Sequence, residues 1–175
     1  MEDRLSLLAK QLTENKTVDN IELLSRLTRI EKMFLTRFYN INFNLEVHEI
    51  YSDIELFSIA IECGYVKAVK WLIDNCEEII IQDDFGYSAL IEAVEYNKIE
   101  VVKLLLKFPN ININHQDYKQ WTALIKASFH GFTNIVVELL KYKDIDINIR
   151  NNMDLTALQL SKTEEIKDLL KNHGR

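Results

Sequence analysis

The sequence predicts an all-α, elongated solenoid of about four stacked units, each a helix-turn-helix followed by a projecting β-hairpin arm, with a helical cap at the N-terminal end. Three observations carry this. The stretch "ININHQDYKQWTAL" at Ile111 to Leu124 returns thirty-four residues later as "IDINIRNNMDLTAL" at Ile145 to Leu158, with six of fourteen positions identical and two more exchanging Asn and Asp. Placing Asp83, Asp117 and Asn151 in register aligns "DDFGYSALIEAVEYNKIEVVKLLL", "DYKQWTALIKASFHGFTNIVVELL" and "NNMDLTALQLSKTEEIKDLL", and an earlier copy, "SDIELFSIAIECGYVKAVKWLI", fits the same columns. After each second helix the apolar period changes from helical to two, as in "NININ" and "DIDIN", which reads as an extended arm ending in a turn.

Each aligned column has a mechanical reason. Ser88, Thr122 and Thr156 stand just before an apolar-periodic run, where a hydroxyl accepts from the first free N–H groups of a helix. Ala60, Ala93 and Ala127 fall mid-helix, where only a methyl group lets a neighbouring helix approach closely. Gly64, Asn97 and Gly131 then end that helix with the two residue types that best tolerate left-handed backbone. The second helices, "VVKLLL", "IVVELL" and "AVKWLI", are apolar on so many faces that they need cover on both sides.

With these columns in place, residues 51 to 175 resemble ankyrin repeats, in units of about 51–82, 83–116, 117–150 and 151–175. The family pattern of Asp, two variable residues, Gly, one variable residue and Thr-Pro-Leu-His is met as "DDFGYSALI" and "DYKQWTALI", and more loosely as "NNMDLTALQ". Ala replaces the Pro, Ile or Gln replaces the His, and the Gly is kept only at Gly86, so softer turns are expected.

Residues 1 to 50 are expected to be a helical N-terminal cap. Leu5, Leu8 and Leu12 share one face of a short helix, and Ile21, Leu24 and Leu27 another. Thr28 to Asn44 reads as the second helix and arm of a degenerate repeat, with a capping box of Thr28 and Glu31. Stacked repeats bury apolar faces only against neighbours, so the ends of a solenoid need capping.

Bulk properties narrow the function. A length of 175 residues and 47% apolar content suit one domain with a real core. A net charge of −6 with dispersed Lys and Arg argues against a nucleic-acid binder. No apolar run approaches a membrane span, and "MEDRLSLLAKQLTEN" lacks the pattern of a secretory signal, so a cytoplasmic location and no membrane partner are expected. Abundant Asn, Ile and Lys suit an AT-rich genome such as that of an intracellular microbe, which leaves delivery into a host cell open. Cys63 and Cys76, near opposite ends of one helical pair, are expected to be free thiols.

No constellation for catalysis converges. The sequence has no phosphate-cradling glycine loop, no His-Glu-x-x-His and no Gly-x-Ser-x-Gly, and its four histidines are scattered. Glu77 with Glu78 and Glu164 with Glu165 are adjacent pairs, whose side chains diverge on a helix. No catalytic residue, metal ligand or cofactor is predicted.

The variable columns carry the candidate site. The resemblance implies that partners dock on hairpin tips and on the exposed end of the first helix. Those positions hold Phe85 and Tyr87, then Tyr118, Lys119 and Trp121, then Met153, with Glu95, Tyr96, Phe129 and His130 at the helix ends. Aromatic side chains and Met are enriched where proteins bind proteins, because they bury large areas with few rotors to freeze. The expected function is therefore a non-catalytic module, monomeric when unbound, that binds another protein. The alternative is a stoichiometric inhibitor or effector that blocks a partner enzyme with the same face.

Overall fold

The structure, a computed structural model, describes residues 4–14, 31, 34–35, 53–75, 88–109 and 111–173. Its described helices are α1 (Arg4–Glu14), α2 (Asp53–Cys63), α3 (Val66–Asn75), α4 (Ala89–Glu95), α5 (Ile99–Leu105), α6 (Ala123–His130), α7 (Thr133–Leu140), α8 (Ala157–Leu160) and α9 (Glu164–Asn172). From α2 onward they form four antiparallel pairs. The first helices α2, α4, α6 and α8 pack in one row, and the second helices α3, α5, α7 and α9 in another. This is an all-α solenoid, and no strand occurs among the described residues.

Local chemistry starts and stops the helices. Ser88, Thr122 and Thr156 each accept a hydrogen bond from the backbone N–H three residues on, at Ile91, Ile125 and Gln159. Gln159, in the column where the family carries His, completes a capping box with Thr156. Thr163 caps α9 in the same way, through Ile166. Backbone φ is positive at Gly64, Asn97 and Gly131, at 76°, 54° and 81°. The next N–H, from Tyr65, Lys98 and Phe132, then reaches back to the carbonyl of Ala60, Ala93 and Ala127, closing each helix identically.

Those three alanines are fully buried, as are Leu72, Val94, Val102, Val136 and Leu139, so the core runs continuously between the two rows. The N-terminal helix extends it. Leu5, Leu8 and Ala9 of α1 are buried with Phe34 and Leu35, and the Phe34 ring meets the edge of Tyr65 at a centroid distance of 5.3 Å. Glu31 is held by Arg4 at 2.7 Å. Ile21, Leu24, Leu27 and Thr28 lie outside the described residues, as does Cys76; Cys63 is a free, exposed thiol.

The period-two segments correspond to linked turns. Ile113 is buried and Ile111, Ile145, Ile147 and Ile149 pack against the core, so the alternation does put isoleucine inward. The polar residues between them fold the chain locally: Asn112 accepts from the N–H of Asn114, and Asp146 from that of Asn148. Such side-chain acceptors compete with a strand ladder and favour turns. Successive arms are then tied by amides, with Asn114 bonded to both the carbonyl of Asp144 and the N–H of Asp146, and Gln116 donating to the carbonyl of Arg150.

Candidate protein-binding face

Each described arm tip is built on one acidic or amide side chain. Asp117 Oδ1 accepts from the backbone N–H groups of Lys119 and Trp121 at 2.9 and 2.8 Å, and the Asp117 N–H donates to the Trp121 carbonyl. Asn151 Oδ1 does the same for Met153 and Leu155, at 3.0 and 3.1 Å. This explains the Asp/Asn column: only a short side chain with a terminal oxygen closes that loop. Gln120 and Asp154, in the family's Gly column, adopt positive φ of 61° and 60°.

The tips present the predicted side chains. Tyr118 is 73% exposed and Met153 54%, and an N–H···O bond from Asn152 to Lys119 sets the two tips side by side. Phe129, at the end of α6, is 46% exposed, and Tyr96, just beyond α4, is also exposed. Phe85 and Tyr87 lie outside the described residues.

Four predicted residues converge on one cluster. The Trp121 ring meets Phe129 edge-on at 5.3 Å, Phe129 meets His130 at the same distance, and His130 stacks on Phe132. Glu95, from the preceding unit, approaches His130 at 3.7 Å. Trp121 departs from the expectation of a freely projecting anchor: it is half-buried and packs against the core, because its ring lies on α6.

At the centre is Lys126, which the sequence did not single out. Its side chain is only 9% exposed, yet its ammonium lies 2.8 Å from Glu95, 3.7 Å from Asp117 and 5.8 Å from the Trp121 ring centroid. A buried ammonium needs such partners, and two carboxylates with an aromatic face supply them. The only sequence signal was a Lys in the column that holds Glu92 one unit earlier.

Among the described residues no group of three or more His, Cys, Asp or Glu is placed to hold a metal, and no helix is long and apolar enough to cross a membrane. The Cys63 thiol is pushed up by partial burial, with the Tyr65 hydrogen bond opposing and the Glu62 charge adding to the rise.

A family model described as ankyrin repeats in three copies matches residues 30–117 and 56–151, more than half of the chain. The chain belongs to the ankyrin-repeat family. Its fold is similar to the ankyrin repeat domain of Bcl-3, a member of the IkappaB protein family, with a TM-score of 0.62 and 29% identity. That match covers 67% of this chain and 51% of the Bcl-3 domain, so the chain spans about half of that domain's length. No curated protein matches the sequence. Ankyrin repeats generally mediate protein–protein interaction, and no catalytic family is indicated.

Proposed function

We propose that this chain is a non-catalytic interaction module that binds a partner protein through its arm tips and the exposed ends of its first helices. The observation that carries the reading is the collection of large side chains there: Tyr96, Tyr118, Phe129 and Met153 are exposed on consecutive units. Exposed aromatics and methionines rimmed by polar residues are the usual composition of a protein-binding patch. The described second helices instead balance their charges internally, through Lys70 with Asp74, Lys103 with Glu100, Lys141 with Glu138 and Lys167 with Glu164. A reducing compartment such as the cytosol suits the exposed free thiol of Cys63.

Parallel affinity capture from a cell lysate tests this, using the parent chain and a variant with Tyr118, Phe129 and Met153 all changed to Ala. The parent is expected to retain at least one protein that the variant loses. Identical recovery by the two would overturn the assignment of the face.

A further inference from the structure

Charge is distributed unevenly between the two helical rows. The first helices α2, "DIELFSIAIEC", and α4, "ALIEAVE", contain five carboxylates and no Lys or Arg. Glu62 and Glu95 occupy equivalent columns of these two contacting helices, at the end that faces the candidate site. Ser58 on α2 hydrogen-bonds Glu92 on α4, so the two units share one polar surface along this row. In the sequence, Trp71 to Asn97 carries seven carboxylates and no Lys or Arg, in a chain whose 27 acids and 21 bases leave −6 overall. The rest of the chain is therefore nearly balanced.

Among the described residues, Lys126 and Lys98 border this surface. Lys126 is buried and already engaged by Glu95 and Asp117. Lys98 lays its stem against Gly64 at the end of α2. On the other side the acidic surface adjoins the aromatic pair of Trp121 and Phe129, because Glu95 touches the His130 that packs on Phe129. An acidic half beside an apolar half complements one kind of ligand.

We infer that the partner presents a short basic segment with a bulky apolar anchor, its Lys or Arg residues meeting Glu62 and Glu95 and its anchor meeting Phe129 and Tyr118. This rests on the proposed binding face and adds the chemistry of what it takes. Opposite charge across an interface raises the encounter rate and disfavours acidic competitors, while the desolvated apolar anchor supplies most of the affinity. The attraction is screened by salt, since the Debye length is about 8 Å at physiological ionic strength.

The test is selection of a random short-peptide library, displayed on phage, against the immobilised full chain. Enriched peptides should combine Lys or Arg with Leu, Phe or Trp. A synthetic peptide of the enriched sequence should bind about tenfold more weakly on passing from low to high salt, as expected for an exposed electrostatic contribution. It should weaken by a similar factor against the double variant Glu62→Gln, Glu95→Gln. Glu62→Gln alone, at an exposed position, provides the reading should the double variant melt early. Enrichment of acidic or uncharged peptides, or binding indifferent to salt and to Glu62→Gln while still lost in Phe129→Ala, overturns this inference and leaves the binding face standing. Peptides indifferent to Phe129→Ala, or a library that yields no binder, overturn both.

Discussion

Lys126 on α6 reaches across to Glu95 at the end of α4, with its ammonium 2.8 Å from the carboxylate and its side chain almost wholly covered. A single cation thereby joins two units, since Asp117 at the base of the arm shares it. Replacing Lys126 by Met keeps the length and apolar stem but leaves two carboxylates, one of them buried, without a counter-charge. Removing one partner of a buried ion pair leaves an uncompensated charge, so Lys126→Met should lower unfolding free energy by roughly 2 to 3 kcal/mol. Urea denaturation at neutral pH reads the loss directly; an unchanged midpoint would show that the pair contributes nothing.

The arm tips should be sensitive to loss of one oxygen. Asn151→Ala removes the acceptor for two backbone N–H groups, Met153 and Leu155, at a buried position. The expected cost is about 1 to 3 kcal/mol. Asp117→Asn should cost less than Asp117→Ala, because Asn keeps the acceptor that closes the tip, as Asn151 does one unit later. Thermal melting of the three variants ranks them.

Backbone conformation offers a stabilising change and a destabilising one. Gln120 has a φ of 61° and an exposed side chain, so Gln120→Gly should relieve left-handed strain and raise stability by about 0.5 to 1 kcal/mol. Gly131, at φ 81°, is the converse case: a Cβ there would meet Lys162 Cδ at 3.1 Å. Gly131→Ala should cost about 1 to 2 kcal/mol, most of it backbone strain, since the lysine stem can yield. Opposite shifts in melting temperature are expected, and shifts of the same sign would contradict the strain argument.

Much of this fold was legible because its signals are local. A hydroxyl at Thr122 or Thr156 caps the helix it precedes, and Gly64, Asn97 and Gly131 turn the chain where they stand. Repetition supplied the rest, since one unit's apolar pattern has to be answered by the next. The arms were harder to read. Alternating Ile and Asn or Asp suits a strand and a series of side-chain-closed turns equally, and Asn112 and Asp146 decide for turns through bonds that hydropathy does not register. Lys126 carries no mark in the sequence because its burial depends on Glu95, which belongs to another unit, and the sequence places Trp121 at a tip because Phe129 covers it only in three dimensions.

Cys63 should react sluggishly despite its exposure. Partial burial raises its thiol pKa and the charges of Glu62 and Glu31 add to the rise, outweighing the opposing bond to Tyr65 and the charge of Lys98, so less thiolate is present at neutral pH than in a free cysteine. In a Cys76→Ser background, alkylation by iodoacetamide at pH near 8 should run several-fold slower than for a model thiol and gain on it as pH rises. A rate equal to the model thiol's across that range would show an unperturbed group.

The most direct test of the binding face uses a partner recovered by capture and measures its Kd by calorimetry alongside the melting temperature of each chain. The triple variant Tyr118→Ala, Phe129→Ala, Met153→Ala should melt within a few degrees of the parent, because all three side chains are exposed. Its affinity should fall at least about tenfold, since truncating an interface anchor typically costs about 1 to 4 kcal/mol. A second-helix control, Lys70→Ala with Asp74→Ala, should bind as the parent does. A folded triple variant with parental Kd, or a control that loses binding instead, would contradict the account.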